Sequence, residues 1–331
     1  MTLTVDTLLA ILLGGLALVV LVTGAGAVVD RSVSLAQRYG LPDVLVATTV
    51  VAVGTSLPEI GSHVVASLGI LSGTLDYRVA SATVLGGNVG SSVTQQLLLF
   101  GVFLLGYGRY QLTRAVLRGS YLHMVLAAAL LLLVAADGRI SAFDGGVLLV
   151  AYALSVVDGV RLRRREPPVP ILDGASEHVA RDVGVLLAGL VAVLGGAYVV
   201  LAVVGAVVDD LALGGSMVGV VTLGLASALP ELSTVAEALR RRAPNVAVGT
   251  LLGSNVVNPL LAVGLGGVLS TYHVPPVVVL WDLPFKLLAA VAFLAYWLAV
   301  RDRTLRRRDG FYLVACYFVF VSGRLLLFAG Q

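Results

Sequence analysis

Charge is scarce in this chain. Asp, Glu, Lys and Arg make up 12% of its 331 residues, against a share near 25% in soluble globular domains. Lysine is almost missing, since Lys286 is the only one, and Cys316 is the only cysteine. A single thiol excludes an internal disulfide and a cysteine metal cluster. No HExxH motif and no paired catalytic Asp motif is present, so the sequence is not read as an enzyme. The first apolar stretch, Leu8 to Val29, has full spanning length and lacks a basic start. It therefore reads as a membrane helix that stays, not as a cleaved leader.

What is abundant is apolar surface. Hydrophobic residues reach 58% and the mean hydropathy is +0.99, which marks an integral membrane protein whose constant partner is the lipid bilayer. The 38 glycines suit helices that pack closely or break. Apolar stretches of about 20 residues predict ten spans, near 6–29, 43–71, 79–105, 120–136, 142–160, 183–208, 213–239, 245–269, 276–300 and 311–330.

Arginine placement predicts the orientation, because cytoplasmic loops retain an excess of Lys and Arg. Alternate loops collect nearly every arginine on one side, and the opposite side keeps Arg78 and Arg139. Both termini are then outside a cell membrane and the 161–182 link is cytoplasmic. The same basic flanks account for the pI near 9.1 without nucleic acid. The link is polar and proline-broken, too short for a folded domain, and no obligatory protein partner is evident. The expected organisation is a five-helix repeat at 1–160, the linker at 161–182 and a second five-helix repeat at 183–331. An odd number of crossings per half makes the repeats inverted, an all-α membrane fold with broken helices at the midplane.

One polar device occurs twice. GTSLPE at Gly54 to Glu59 returns as ASALPE at Ala226 to Glu231, each inside a span. GGNVGSSVTQ (Gly86 to Gln95) follows the first copy and GTLLGSNVVN (Gly249 to Asn258) the second. An ionised carboxylate at that depth is costly unless compensated. Interrupted hydrophobic segments at matching places in two halves point to a transporter's binding site.

In these residues the chain resembles the cation/calcium exchanger superfamily, which includes sodium/calcium and proton/calcium antiporters. The resemblance covers both signature repeats and the short central link. It implies a secondary antiporter, without cofactors, that exchanges calcium for sodium (or protons). Calcium takes six to eight oxygen ligands at about 2.3–2.6 Å. Glu59 and Glu231 supply carboxylates, and Thr55, Ser56, Ser91, Ser227 and Ser254 supply hydroxyls. Thr55 precedes Glu59 by four residues, as Ser227 precedes Glu231, so each hydroxyl lies one turn from its carboxylate. Pro58 and Pro230 loosen the helices. By resemblance, the backbone carbonyls of Ala52 and Gly224 add ligands, and Gln95 and Asn258 occupy positions that carry an amide or a carboxylate in the family. Alternating access is expected from the first and sixth spans sliding on a core that holds the motifs.

Three departures stand out. Gln95 and Asn258 are both amides, leaving two acidic ligands. Ala228 replaces the hydroxyl that Ser56 carries in the first copy. Glu59 to Ser91 spans 32 positions where Glu231 to Ser254 spans 23, and the extra nine are expected around 71–79 as a flap or helix extension. His63 lies one turn beyond Glu59, where a proton site and simple packing are both open readings. Asp282 and Lys286 are expected to form an i,i+4 ion pair, Arg324 to snorkel or meet lipid phosphate, and Trp281, Tyr296 and Trp297 to anchor the interface. Besides calcium/proton and monovalent cation/proton exchange, a cation channel is the alternative from another class; it requires a pore lined by polar rings.

Overall fold

The structure, a computed structural model, describes residues 5–40, 43–114, 116–163, 178–210, 227–299 and 304–328. Among these, eight helices are long and apolar enough to cross a membrane, and a bent pair raises the number to nine. Lipid offers no partner to backbone N–H and C=O groups, so an apolar chain of this length satisfies them within helices. The helices are α1 (Val5–Arg38), α2 (Val44–Thr55), α3 (Leu57–Leu71), α4 (Tyr77–Tyr107), α5 (Val116–Ala135), α6 (Ala142–Arg163), α7 (Val179–Asp210), α8 (Leu229–Arg240), α9 (Pro244–Leu269), α10 (Val278–Ala299) and α11 (Arg307–Leu327). The first part of the predicted span 213–239 lies outside the described residues. The predicted linker is helical at its ends, inside α6 and α7; its centre, 164–177, also lies outside them.

Burial sorts the helices into layers. In α9, 94% of the spanning window is buried and in α4 78%, against 11% in α6, 28% in α10 and 22% in α11. The centre is therefore α4 and α9, the two helices that carry the Gly-Ser clusters. Close approach is built from small residues: a Cβ on Gly249 would meet the Ala47 Cβ at 2.5 Å, and one on Gly253 the Ala52 Cβ at 2.6 Å, so α9 lies directly on α2.

Two short antiparallel ribbons tie the ends. β1 (Arg109–Gln111), just after α4, pairs with β4 (Thr304–Arg306), just before α11. β2 (Arg139–Ile140), just before α6, pairs with β3 (Tyr272–His273), just after α9.

The main apolar core runs through α4, α5, α9 and α10. A separate cluster joins Val28 of α1 and Val51 of α2 to Leu186 and Leu190 of α7. The long helices α1 and α7 pack on each other at Gly24 and Gly189, where a Cβ on either would approach the other's carbonyl oxygen to 2.9 Å. Arg31 of α1 also pairs with Asp182 of α7 at 2.9 Å; the two meet the rest through apolar side chains and, at one end, charge, where Arg241 bridges Asp30 of α1 and Glu237 of α8.

Several expectations change. Asp282 pairs with Arg324 of α11 instead of Lys286, because the facing helix brings a guanidinium that one-helix spacing cannot reveal. Trp297 is 1% exposed and stacks edge-on against Tyr121 at 5.8 Å, so it is core, not an interfacial anchor. Around 71–79, of the two forms expected, helix extension is the one seen, and most of the extra residues lengthen helices: α3 runs 15 residues where α8 runs 12, and α4 starts earlier before Ser91 than α9 does before Ser254, on an Asp76 cap to the Val79 N–H.

Candidate cation-binding site

Both glutamates stand just past a helix break of the same form. Ser56 separates α2 from α3 with φ −87° and ψ 7°, and Ala228 precedes α8 with φ −86° and ψ 3°. The α2–α3 bend is 43°. Pro58 and Pro230 sit in the first turn after each break, where a missing N–H costs least. Pro58 leaves the Gly54 carbonyl without its helical donor. The Ala52 carbonyl, by contrast, still accepts the Ser56 N–H at 3.1 Å and the Thr55 hydroxyl at 3.4 Å.

The glutamates are buried, Glu59 at 4% exposure and Glu231 at 0%, and close enough for their charges to act on each other. Ser91 donates to Glu59 Oε1 at 2.9 Å. Ser254 donates to Glu231 Oε1 at 3.1 Å. From the other half of the chain, Ser56 reaches the same Glu231 oxygen at 3.4 Å, and the Thr55 hydroxyl lies within reach of Glu231 as an alternative to the Ala52 carbonyl for its one proton. Gln95 donates from Nε2 to Ser91 Oγ at 3.2 Å. Asn258, buried, sits beside Asn88, whose Nδ2 donates to the Asn258 carbonyl at 3.1 Å. Ser91 and Gln95 thus chain to Glu59, and Ser254, Ser56 and Thr55 gather on Glu231, all buried; Asn258 is buried too but is joined only to Asn88. Ser227 is half-buried at the head of α8, and Gly224 lies outside the described residues.

The network is short of donors and acceptors in a telling way. Glu59 Oε2, Glu231 Oε2, both polar atoms of the Asn258 side chain and Asn88 Oδ1 are buried with no protein hydrogen-bond partner. Each such atom costs about 1–3 kcal/mol when left unsatisfied. Most are oxygens, the donor type that hard cations take. Gln95 and Asn258 fall in wide π-helical turns, Thr94–Leu99 and Asn258–Ala262, a distortion common at functional sites.

A model of the family described as sodium/calcium exchanger protein matches residues 9–157 and again 182–326. The chain belongs to the sodium/calcium exchanger family. It is 28% identical over 295 residues to the inner membrane protein YrbG of Escherichia coli, covering 86% of each chain. It is 23% identical to the sodium/calcium exchanger MaX1 of Methanosarcina acetivorans, covering 92% of this chain and 95% of that one. Its fold matches a solved structure of the sodium-calcium exchanger NCX_Mj with a TM-score of 0.79 at 21% identity, over 96% of this chain and 99% of the other. The exchanger is thus a multi-pass, helical cation/calcium antiporter, a transporter and not an enzyme.

Sequence reasoning overlooked Asn88 and Asn255. Asn255 donates to Gln95 Oε1 at 3.3 Å and to the Leu251 carbonyl at 3.0 Å, which orients the Gln95 amide across the two halves. Both asparagines lie within the quoted Gly-Ser clusters, but the four-residue spacing pointed past them. His63 is fully buried, and its Nδ1 lies 3.2 Å from the Tyr272 hydroxyl. That hydroxyl donates to the His63 carbonyl at 2.9 Å and lies 2.7 Å from the Ser67 hydroxyl. This triad fastens α3 to β3; His63 Nε2 has no protein partner.

Proposed function

We propose that the chain exchanges calcium for sodium across the cell membrane by alternating access, with one shared cation site at Glu59 and Glu231. The observation that carries the reading is the pair of buried carboxylates at matching helix breaks, each hydrogen-bonded through one oxygen and keeping the other without a protein donor. Two carboxylates balance one divalent cation, and Thr55, Ser56, Ser91, Gln95, Ser227, Ser254 and Asn258 complete an oxygen-rich shell, joined by the Ala52 and Gly224 carbonyls. Sodium occupying the same oxygens excludes calcium, which couples the two fluxes.

The proposed architecture is two inverted five-helix repeats, 1–160 and 183–331, around the 161–182 linker. The repeated match of one family model to both halves and the reciprocal ribbons at their ends support it. Both termini are assigned to the outside and the linker to the cytoplasm. In transport, α1 and α7 slide as a pair; support comes from their close mutual packing and from the apolar surface they present to α2. His63 is assigned to packing, on its tie to Tyr272 and Ser67.

One observation favours proton coupling as a second reading: Gln95 and Asn258 are amides, which leaves two carboxylates to carry charge. Calcium-45 uptake into proteoliposomes under separately imposed sodium and pH gradients tests both. Uptake driven by outward sodium alone supports sodium coupling. Uptake that follows only the pH gradient replaces it with proton coupling, and uptake under neither gradient defeats the antiporter reading.

A further inference from the structure

Away from the glutamates, the start of α5 and the end of α10 enclose a cavity of about 390 Å³ lined by Arg114, Leu117, Arg118, Leu122, Leu294 and Leu298. It opens past exposed leucines of two spanning helices: Leu122 is 39% exposed and Leu298 64%, while Leu117 at 7% forms the floor. Arg114 and Arg118 are exposed. Among the described residues neither makes an ion pair.

The two chemistries in this slot call for one amphipathic occupant. A small soluble anion would meet the guanidinium groups and leave four leucines uncovered. A plain acyl chain would cover the leucines and leave two cations without a counter-charge. A phospholipid does both, since guanidinium binds phosphate oxygens through paired N–H donors and basic pockets between membrane helices hold lipid headgroups. The segments that adjoin the slot in sequence are basic as well: the β1–β4 ribbon sets Arg109 opposite Arg306 and Arg307 opens α11, while Arg308 is paired with Asp309, so a headgroup with net negative charge is favoured over a zwitterionic one.

We propose that this slot binds an anionic phospholipid, its phosphate on Arg114 and Arg118 and an acyl chain along Leu117, Leu122, Leu294 and Leu298. Occupancy would join α5 to α10 where, among the described residues, no acidic side chain pairs with either arginine.

Trp297 lies between Leu294 and Leu298 in sequence and provides the test. In full-length protein carrying Trp281→Phe, Trp297 is the lone tryptophan. That protein is reconstituted in phosphatidylcholine vesicles, and brominated phosphatidylglycerol or brominated phosphatidylcholine is titrated in as quencher. Half-maximal quenching is expected at a mole fraction about five- to twenty-five-fold lower for the phosphatidylglycerol, roughly fivefold for each guanidinium near the surface. Arg114→Gln with Arg118→Gln should bring the two curves together, and Arg114→Lys with Arg118→Lys should keep part of the separation. Coincident curves with both arginines intact, or a separation that survives the double glutamine substitution, would overturn the proposal. A second measurement avoids the tryptophan change: native mass spectrometry of the unsubstituted chain in neutral detergent should detect retained phosphatidylglycerol in preference to equimolar phosphatidylcholine, and equal retention overturns it.

Discussion

Glu59 and Glu231 follow breaks with nearly the same backbone angles, yet their surroundings differ. Glu231 receives Ser254 from its own half and Ser56, with Thr55, from the other. Glu59 receives Ser91, and the residue matching Ser56 is Ala228, which has no hydroxyl to lend. The pairing of Ser56 is crossed, so a change in the first half is felt by the carboxylate of the second. Were the second half crossed in the same way, a hydroxyl at 228 would serve Glu59, so Ala228 leaves the two sides of the site chemically unequal although the backbone treats them alike.

The largest test of the comparison removes each charge in turn. Glu59→Gln and Glu231→Gln should each bring calcium exchange below about a tenth of the unsubstituted rate, because one carboxylate is left against a divalent ion in a low-dielectric site. Calcium-45 uptake by folded, reconstituted protein measures it. Full activity in one of the two would reduce the site to a single carboxylate.

Next in size are matching glycines in unequal places. Gly249→Ala forces a methyl into Ala47 and should destabilise by about 1–3 kcal/mol. Its counterpart Gly86 has nothing within 4 Å of a built Cβ, so Gly86→Ala should be neutral or stabilise by up to about 1 kcal/mol through helix propensity. Thermal unfolding in detergent compares the two, and equal losses would contradict the packing of α9 on α2.

His63 matches Val235 in the second half, and both are buried. His63→Val leaves the Tyr272 hydroxyl short of a side-chain partner and should cost about 1–2 kcal/mol. The normalised pH profile of calcium uptake between pH 5 and 9 should superimpose on that of the unsubstituted protein. A flattened profile would return His63 to the transport chemistry.

The smallest effect sharpens the crossed pairing itself. Ser56→Ala deletes one long hydrogen bond and should weaken calcium binding two- to tenfold, for about 0.5–1.5 kcal/mol, while Ala228→Ser should tighten it within the same range. Half-saturating calcium in uptake assays reads both. An Ala228→Ser that weakens binding would argue that the bare side of Glu59 is required.

Composition and the doubled GTSLPE and ASALPE strings were enough to identify a membrane antiporter of this family and to mark the residues proposed for its site, because each signal is local: a span is a run of apolar residues, and a ligand turn is a four-residue spacing. Tertiary structure alone decided the rest. Ser56 serving Glu231, Asn255 orienting Gln95, Arg324 taking Asp282 from Lys286, and Trp297 facing Tyr121 instead of the interface are all contacts between helices. In a membrane chain, helix faces that meet protein and faces that meet lipid are both apolar, so periodicity does not reveal which residues face one another. Spacing along one helix reaches only its own next turn; the partner across the gap is set by how the helices cross.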